Sequence, residues 1–227
     1  MDTQRQHPRL VVFDVNETLS DLQPLGDAFV AVGAPGHLVD HWFSSVLRDG
    51  FALSLAGTCP DFAELGRSVL AGLLAGHPLR IEADAAVEEI MKAFARLPVH
   101  PDVADGIRAL HGGGLKVCTL SNGGTAFADA MLTSAGVRDL VDPLLSVRDA
   151  GAWKPLPRAY QYAARATGVD ARDLLLVAVH PWDCDGALRA GLRAAWINRT
   201  GAPYPPIFGT PDYTAGSIIE LAEQLTG

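Results

Sequence analysis

Leu10-Val11-Val12-Phe13-Asp14, running on into Val15-Asn16-Glu17-Thr18-Leu19, is the stretch on which the fold turns. Four apolar residues in a row read as a strand buried on both faces, and the carboxylate of Asp14 follows at its end. The loop after such a strand is where doubly wound α/β proteins build their sites. Asp14 therefore reads as a nucleophile. In a phosphate-ester hydrolase of this plan, a second aspartate two residues on would serve as general acid. Asn16 stands there instead, and an amide cannot protonate a leaving group. That combination suits a group that departs as a stable anion.

Working outward, strand-like runs recur at Leu115–Ser121, Leu144–Val147, Leu174–Val179 and Ala194–Ile197. Helical patterns lie between them, such as Val103, Ile107 and Leu110 on one face, closed by Gly112-Gly113-Gly114. Strand–helix alternation with near-continuous apolar strands predicts a parallel sheet covered on both faces. From Leu22 to Leu97 the alternation stops, and the pattern predicts helices at Leu38–Ala56, Asp61–Ala75 and Glu82–Leu97. Two domains are expected: an α/β core, residues 1–20 and 99–227, and a helical cap, residues 21–98. A cap inserted directly after the first active loop can close over the site and exclude water.

The chain has 227 residues, 48% hydrophobic and 19% charged, which is ample for a full core. A net charge of −8 argues against a nucleic-acid partner. Met1–Arg9 lacks the apolar stretch of a secretory signal, and no apolar run is long enough to span a membrane. Cys59, Cys118 and Cys184 are odd in number and lack metal-ligand spacing, so reduced thiols in a cytoplasmic protein are expected.

Each later strand end brings a polar group. Ser121-Asn122-Gly123 offers a hydroxyl and backbone amides for an anion. Trp153-Lys154-Pro155-Leu156-Pro157-Arg158-Ala159-Tyr160 offers a cation to balance carboxylates. His180-Pro181-Trp182-Asp183-Cys184-Asp185 adds Asp183 as a base, His180 as a polar contact and Trp182 as an apolar wall. In this order the set resembles the haloacid dehalogenase superfamily, and most closely its L-2-haloacid dehalogenase branch. The resemblance implies a Rossmann-like parallel sheet with an inserted cap, and matches Asp14, Thr18, Ser121, Asn122, Lys154, Tyr160, Trp182 and Asp183 to the family motifs.

The activity implied is hydrolysis of the carbon–halogen bond of small 2-haloalkanoic acids, with no metal or organic cofactor. Asp14 would attack C2 with inversion, and Thr18 would support it. Ser121, backbone amides near Val15 and Lys154 would hold the substrate carboxylate; Asp183 would activate water against the ester. A homodimer is what the family suggests. The chain also departs from the branch: Asn16 replaces a tyrosine, Phe43 the halide-receiving arginine of the cap, Ala178 a serine and His180 an asparagine. Asn16, His180, Trp42 or Trp182 could receive the halide, and Arg48 lies about one and a half turns from Phe43.

Two alternatives follow. A magnesium-dependent phosphatase would need a metal site; Val179 falls at the usual ligand position, leaving Asp183 and Asp185 as donors. A faded binding protein would not need Asp14, Lys154 and Asp183 together. Other motifs carry no weight. The sequons at Asn16 and Asn198 lack a signal peptide, His111-Gly112-Gly113-Gly114 lacks a Gly-x-Ser-x-Gly elbow, and no GxGxxG follows the first strand.

Overall fold

The computed structural model describes residues 7–227, so residues 1–6, part of the segment read as lacking a signal, lie outside the described residues. Strand β1 (Leu10–Phe13) is wholly buried and sits mid-sheet, between β2 (Lys116–Ser121) and β4 (Leu174–Ala178). Beyond β2 lies β3 (Leu144–Ser146), and beyond β4 lie β5 (Arg193–Ile197) and β6 (Tyr213–Ala215). All pairings in this order, β3-β2-β1-β4-β5-β6, are parallel. The winding direction reverses at β1, which places the ligand crevice at its carboxyl end. Register fixes the rim: Phe13 aligns with Thr119 and Val177, and the amide of Asp14 donates to the Val177 carbonyl at 3.0 Å.

The structure trims the expected strands. Val147 opens a one-turn helix, α7 (Val147–Ala150), because the Ser146 hydroxyl accepts the Arg148 amide and caps it. Val179 leaves the ladder, its amide donating to the Thr18 hydroxyl at 3.1 Å. Strand β6 escapes a sequence reading, since three residues are too few to display a period of two.

Between β1 and the next core helix, α5 (Val103–Gly112), come four helices: α1 (Leu25–Val32), α2 (Leu38–Leu55), α3 (Phe62–Leu74) and α4 (Ala83–Phe94). Asp61 and Glu82 are N-caps rather than helical residues, and the Asp61 carboxylate accepts the amides of Ala63 and Glu64. The outgoing and returning strands run side by side: Ser20 bridges Val99, and the amide of His100 donates to the Leu19 carbonyl at 2.8 Å.

Two apolar layers flank the sheet. Val11 and Phe13 pack with α5, α6 (Thr125–Ser134) and α10 (Ile218–Thr226). Leu10 and Val12 face α8 (Pro157–Thr167) and α9 (Pro181–Arg189), and that layer runs on without a break into Phe29, Trp42, Phe62 and Ile90 of the inserted helices. Trp153 joins the two parts. It is fully buried, its indole N–H donates to the Pro60 carbonyl at 2.9 Å, and its ring stacks on Phe62 at 5.8 Å. Among the described residues the three cysteines are free, and no helix is long and apolar enough to cross a membrane.

Gly50 of α2 lies flat against the Trp153 ring, and an added Cβ would fall inside it. Gly72 of α3 faces open space. A helix-interior Gly→Ala change ordinarily gains about 0.5–1 kcal/mol, whereas overpacking costs about 1–3 kcal/mol. Gly72→Ala should therefore raise the melting temperature and Gly50→Ala lower it. Equal rises in both would mean that Trp153 does not clamp the inserted helices to the sheet.

Candidate active site

Asp14 leaves β1 with a carboxylate only 4% exposed, and each oxygen is already held. The Lys154 ammonium donates to Oδ1 at 2.8 Å, and the Thr18 hydroxyl donates to Oδ2 at 2.7 Å. Thr18 also accepts the Val179 amide, so a single hydroxyl latches the β1 loop to the end of β4. The same ammonium donates to Asp183 Oδ2 at 2.7 Å, while the Tyr160 hydroxyl donates to Asp183 Oδ1 at 2.6 Å. Lys154, Tyr160 and Asp183 are completely buried.

The loops explain why these groups meet. Asn122, in the loop after β2, fixes the Lys154 backbone: its side-chain oxygen accepts the Lys154 amide at 2.9 Å, and its NH2 donates to the Lys154 carbonyl at 3.4 Å. Pro157 starts α8, which places Tyr160 in its first turn, facing back on Asp183. Asp183 lies in the first turn of α9, begun by Pro181.

Burial raises the pKa of a carboxyl group, and at Asp14 the charge of Lys154 and the hydrogen bond of His180 outweigh it. The group is held well below the usual carboxylate range, so it is an anion throughout the physiological window. Asp183 moves the opposite way, raised by burial despite Lys154 and raised further by the charge of Asp14. Burial lowers Lys154, but Asp14 and Asp183 more than restore it and keep the ammonium charged.

His180 closes the other side. Its Nδ1 lies 3.2 Å from Asp14 Oδ2, and its Nε2 lies 2.7 Å from Glu17 Oε2. The ring is clamped between Phe43 of α2, at 6.2 Å, and Trp182, at 5.0 Å. Burial pushes the imidazole down, yet hydrogen bonds to Asp14 and Glu17 push it up to about 9. It is an imidazolium at neutral pH.

Several sequence expectations change. Asn122 and Tyr160 touch Lys154 and Asp183 rather than open space, so they support the charged groups instead of facing a substrate. Asp183 has both oxygens engaged, by Lys154 and Tyr160, and its side chain is fully buried. The side chain of Val15 points into the apolar layer with Val11 and Phe13, away from the site. Ser121 accepts the Gly123 amide at 2.9 Å and shapes the turn. Trp42 cannot receive a halide, because its N–H is spent on the Gly66 carbonyl in the middle of the inserted helices. Arg48 is exposed and paired with Asp49, on a different face from Phe43. Asp185 turns away to Arg189 and the Gly209 amide, so it does not converge with Asp183 on a metal. Among the described residues no cluster of three or more His, Cys, Asp or Glu is arranged to hold a metal ion.

Asn16 opens into a cavity of about 220 Å³ that is mainly apolar, lined by Phe62, Met91, Phe94 and Phe127, with Arg67 at one side. Its buried side-chain oxygen has no hydrogen-bond partner among the described residues. Two residues here escape a sequence reading. Arg67 sits mid-helix among polar neighbours and looks like surface. Glu17 could have been suspected, since an acid three residues after Asp14 can face a histidine from the fourth strand end.

Comparison with known proteins agrees with this arrangement. The family model described as haloacid dehalogenase-like hydrolase matches residues 8–191. An (S)-2-haloacid dehalogenase of Pseudomonas sp. (strain YL) is 37% identical over 153 residues, 66% of each chain. Haloacetate dehalogenase H-2 of Moraxella sp. (strain B) is 30% identical over 90% of this chain and 92% of its own. The solved L-2-haloacid dehalogenase of Xanthobacter autotrophicus with chloropropionic acid covalently bound superposes with a TM-score of 0.85 at 26% identity, covering 97% of this chain and 99% of its own.

The His180 charge has a consequence for stability. Its folded pKa of about 9 exceeds the ordinary 6.5, so its contribution is complete below pH 6.5 and is lost as pH rises through about 9. The shift corresponds to on the order of 3 kcal/mol at most. Urea unfolding of wild type and His180→Asn should give a stability gap that shrinks between pH 6.5 and pH 9.5. A gap independent of pH would mean that the ring is not charged in the folded protein.

Proposed function

Because the chain belongs to the haloacid dehalogenase-like hydrolases, we propose that it hydrolyses the carbon–halogen bond of small 2-haloalkanoic acids through an ester on Asp14. The observation that carries this reading is the state of Asp14: an ionised, nearly buried carboxylate fixed by Lys154 and Thr18, with the amide of Asn16, rather than a second aspartate, two residues on. A halide needs no proton to leave, whereas an alkoxide does. The relatives named for 2-haloacids and haloacetate, and the covalently bound chloropropionic acid of the Xanthobacter enzyme, support the same chemistry.

In the first step a lone pair of Asp14 forms a bond to C2 from the face opposite the halogen, the carbon–halogen bond breaks, and halide departs with its electron pair. Covalent capture divides one slow displacement into two easier steps. The positive charge of Lys154, held between Asp14 and Asp183, attracts the substrate carboxylate, and the Asn122 amide in the turn after β2 offers it a donor. The cavity beside Asn16 takes the halogen and the short alkyl group, with the Asn16 amide as the polar contact for the departing anion. The helices of residues 21–98 act as the cap, and Phe43 and Trp182 wall the site against bulk water. No metal or organic cofactor enters, and the protein works in the cytoplasm.

Halide release from S- and R-2-chloropropionate and from chloroacetate, followed in EDTA, tests this. Wild type should release chloride without added metal, with the S enantiomer preferred. Asp14→Asn should lose at least about a thousandfold of the rate. No halide from any substrate, together with magnesium-dependent hydrolysis of p-nitrophenyl phosphate, would make the protein a phosphatase instead.

A further inference from the structure

Resting on the ester reading, we propose that Arg199, aimed by Asp102, is a positioning residue for the first step. It holds the turn after β1 so that the Thr18 hydroxyl fixes the attacking carboxylate of Asp14. Rotation about the last bond of a carboxylate side chain is soft, so the orientation of Asp14 is set by what its oxygens touch. Lys154 holds Oδ1, while Thr18 and His180 meet Oδ2, and the 2.7 Å bond from Thr18 is the shortest of the three. The Thr18 hydroxyl also accepts the Val179 amide, which leaves its one proton for Asp14.

Packing alone does not keep that hydroxyl in place. Its neighbour Glu17 has a φ of 61°, the left-handed region that non-glycine residues seldom occupy. Such backbone persists where surrounding contacts over-determine it. On one side the turn borders a cavity of about 600 Å³, lined by Glu17, Asp21, His100 and Arg199 among others. Side chains from two other parts of the fold secure its carbonyls instead. His100, on the chain returning from the inserted helices, places Nε2 3.0 Å from the Glu17 carbonyl. Burial and the charge of Arg199 push the His100 imidazole down, so it meets that carbonyl as a neutral N–H donor. Arg199, in the loop after β5, donates from Nη2 to the Thr18 carbonyl at 3.0 Å.

Asp102 gives Arg199 its aim. Nη1 donates to Asp102 Oδ1 at 2.6 Å, and the planar guanidinium then fixes the direction of Nη2. The other oxygen of Asp102 accepts the Ile218 amide at 2.7 Å, so the carboxylate ties the start of α5 to the start of α10. Both side chains are largely buried, Arg199 20% and Asp102 14% exposed. Arg199 Nε is buried with no hydrogen-bond partner among the described residues, a cost the guanidinium bears while its two outer nitrogens reach Asp102 and Thr18. The path from α10 to the reacting group is therefore continuous: Ile218 amide, Asp102, Arg199, the Thr18 carbonyl, the Thr18 hydroxyl and Asp14.

The test is a double-mutant cycle read in single turnovers of S-2-chloropropionate, following chloride release as substrate is raised to saturation. Arg199→Gln should slow the saturated first step about 10–100-fold. The concentration giving half the maximal rate should stay unchanged, because Arg199 does not reach the substrate. Thr18→Val should also be slow, and adding Arg199→Gln to it should cost less than about threefold more. Arg199→Lys keeps a charge beside Asp102 but ends a bond short of Nη2, so it should recover melting temperature and leave the first step slow. Should Arg199→Gln not fold, Asp102→Asn, which removes the charge that aims Arg199, should show the same non-additivity with Thr18→Val. The proposal is overturned if Arg199→Gln reacts at the wild-type rate, if its loss lies in substrate affinity, if the double variant loses the product of the two single losses, or if Arg199→Lys restores rate and stability together. If wild type itself releases no chloride, the dehalogenase reading fails and this inference falls with it.

Discussion

One buried ammonium, that of Lys154, standing between the carboxylates of Asp14 and Asp183, is the interaction on which the site depends. Taking three charged groups out of water is costly, and the cost is met only where geometry is close and the remaining donors and acceptors are satisfied. Nearly every neighbour serves that condition. Asn122 grips the lysine backbone from both sides, and Tyr160 and Thr18 satisfy the oxygens of Asp183 and Asp14 that the lysine does not hold. Nothing in the packing of the sheet calls for such a cluster; an apolar triad would fill the space more cheaply. Its presence at the carboxyl end of β1 marks function.

The two carboxylates share one cation but differ in character. Asp14 is kept anionic at the edge of solvent, while Asp183 lies sealed behind it and anchors the lysine. His180 supplies a second positive group on the opposite side of Asp14, balanced by Glu17. Esterification of Asp14 removes a charge from both partnerships at once. Under the proposed reaction the first step therefore changes the electrostatics that govern the second.

Much of this was legible from the chain. The continuous apolar run Leu10–Phe13 read as a buried parallel strand, and the prolines after Lys154 read as a helix start beyond it, which is where α8 begins. Contact polarity was not legible. Tyr160 and Asn122 read as substrate contacts because a sequence shows a hydroxyl and an amide near a strand end, not which buried charge they satisfy. Val15 read as a site residue through the amides beside it, while its side chain joins the apolar layer on the far face of the sheet. Glu17 was missed because its importance lies in a left-handed backbone turn and a partner 163 positions away.

The most direct test of Asp14 as nucleophile is a single turnover in H2¹⁸O with enzyme in excess over S-2-chloropropionate. The hydroxy acid should carry ¹⁶O drawn from the carboxylate, and the peptide containing Asp14 should gain ¹⁸O. Product labelled with ¹⁸O in that first turnover, with Asp14 unlabelled, would mean that water attacks the substrate directly and that the buried carboxylate is not the reacting group.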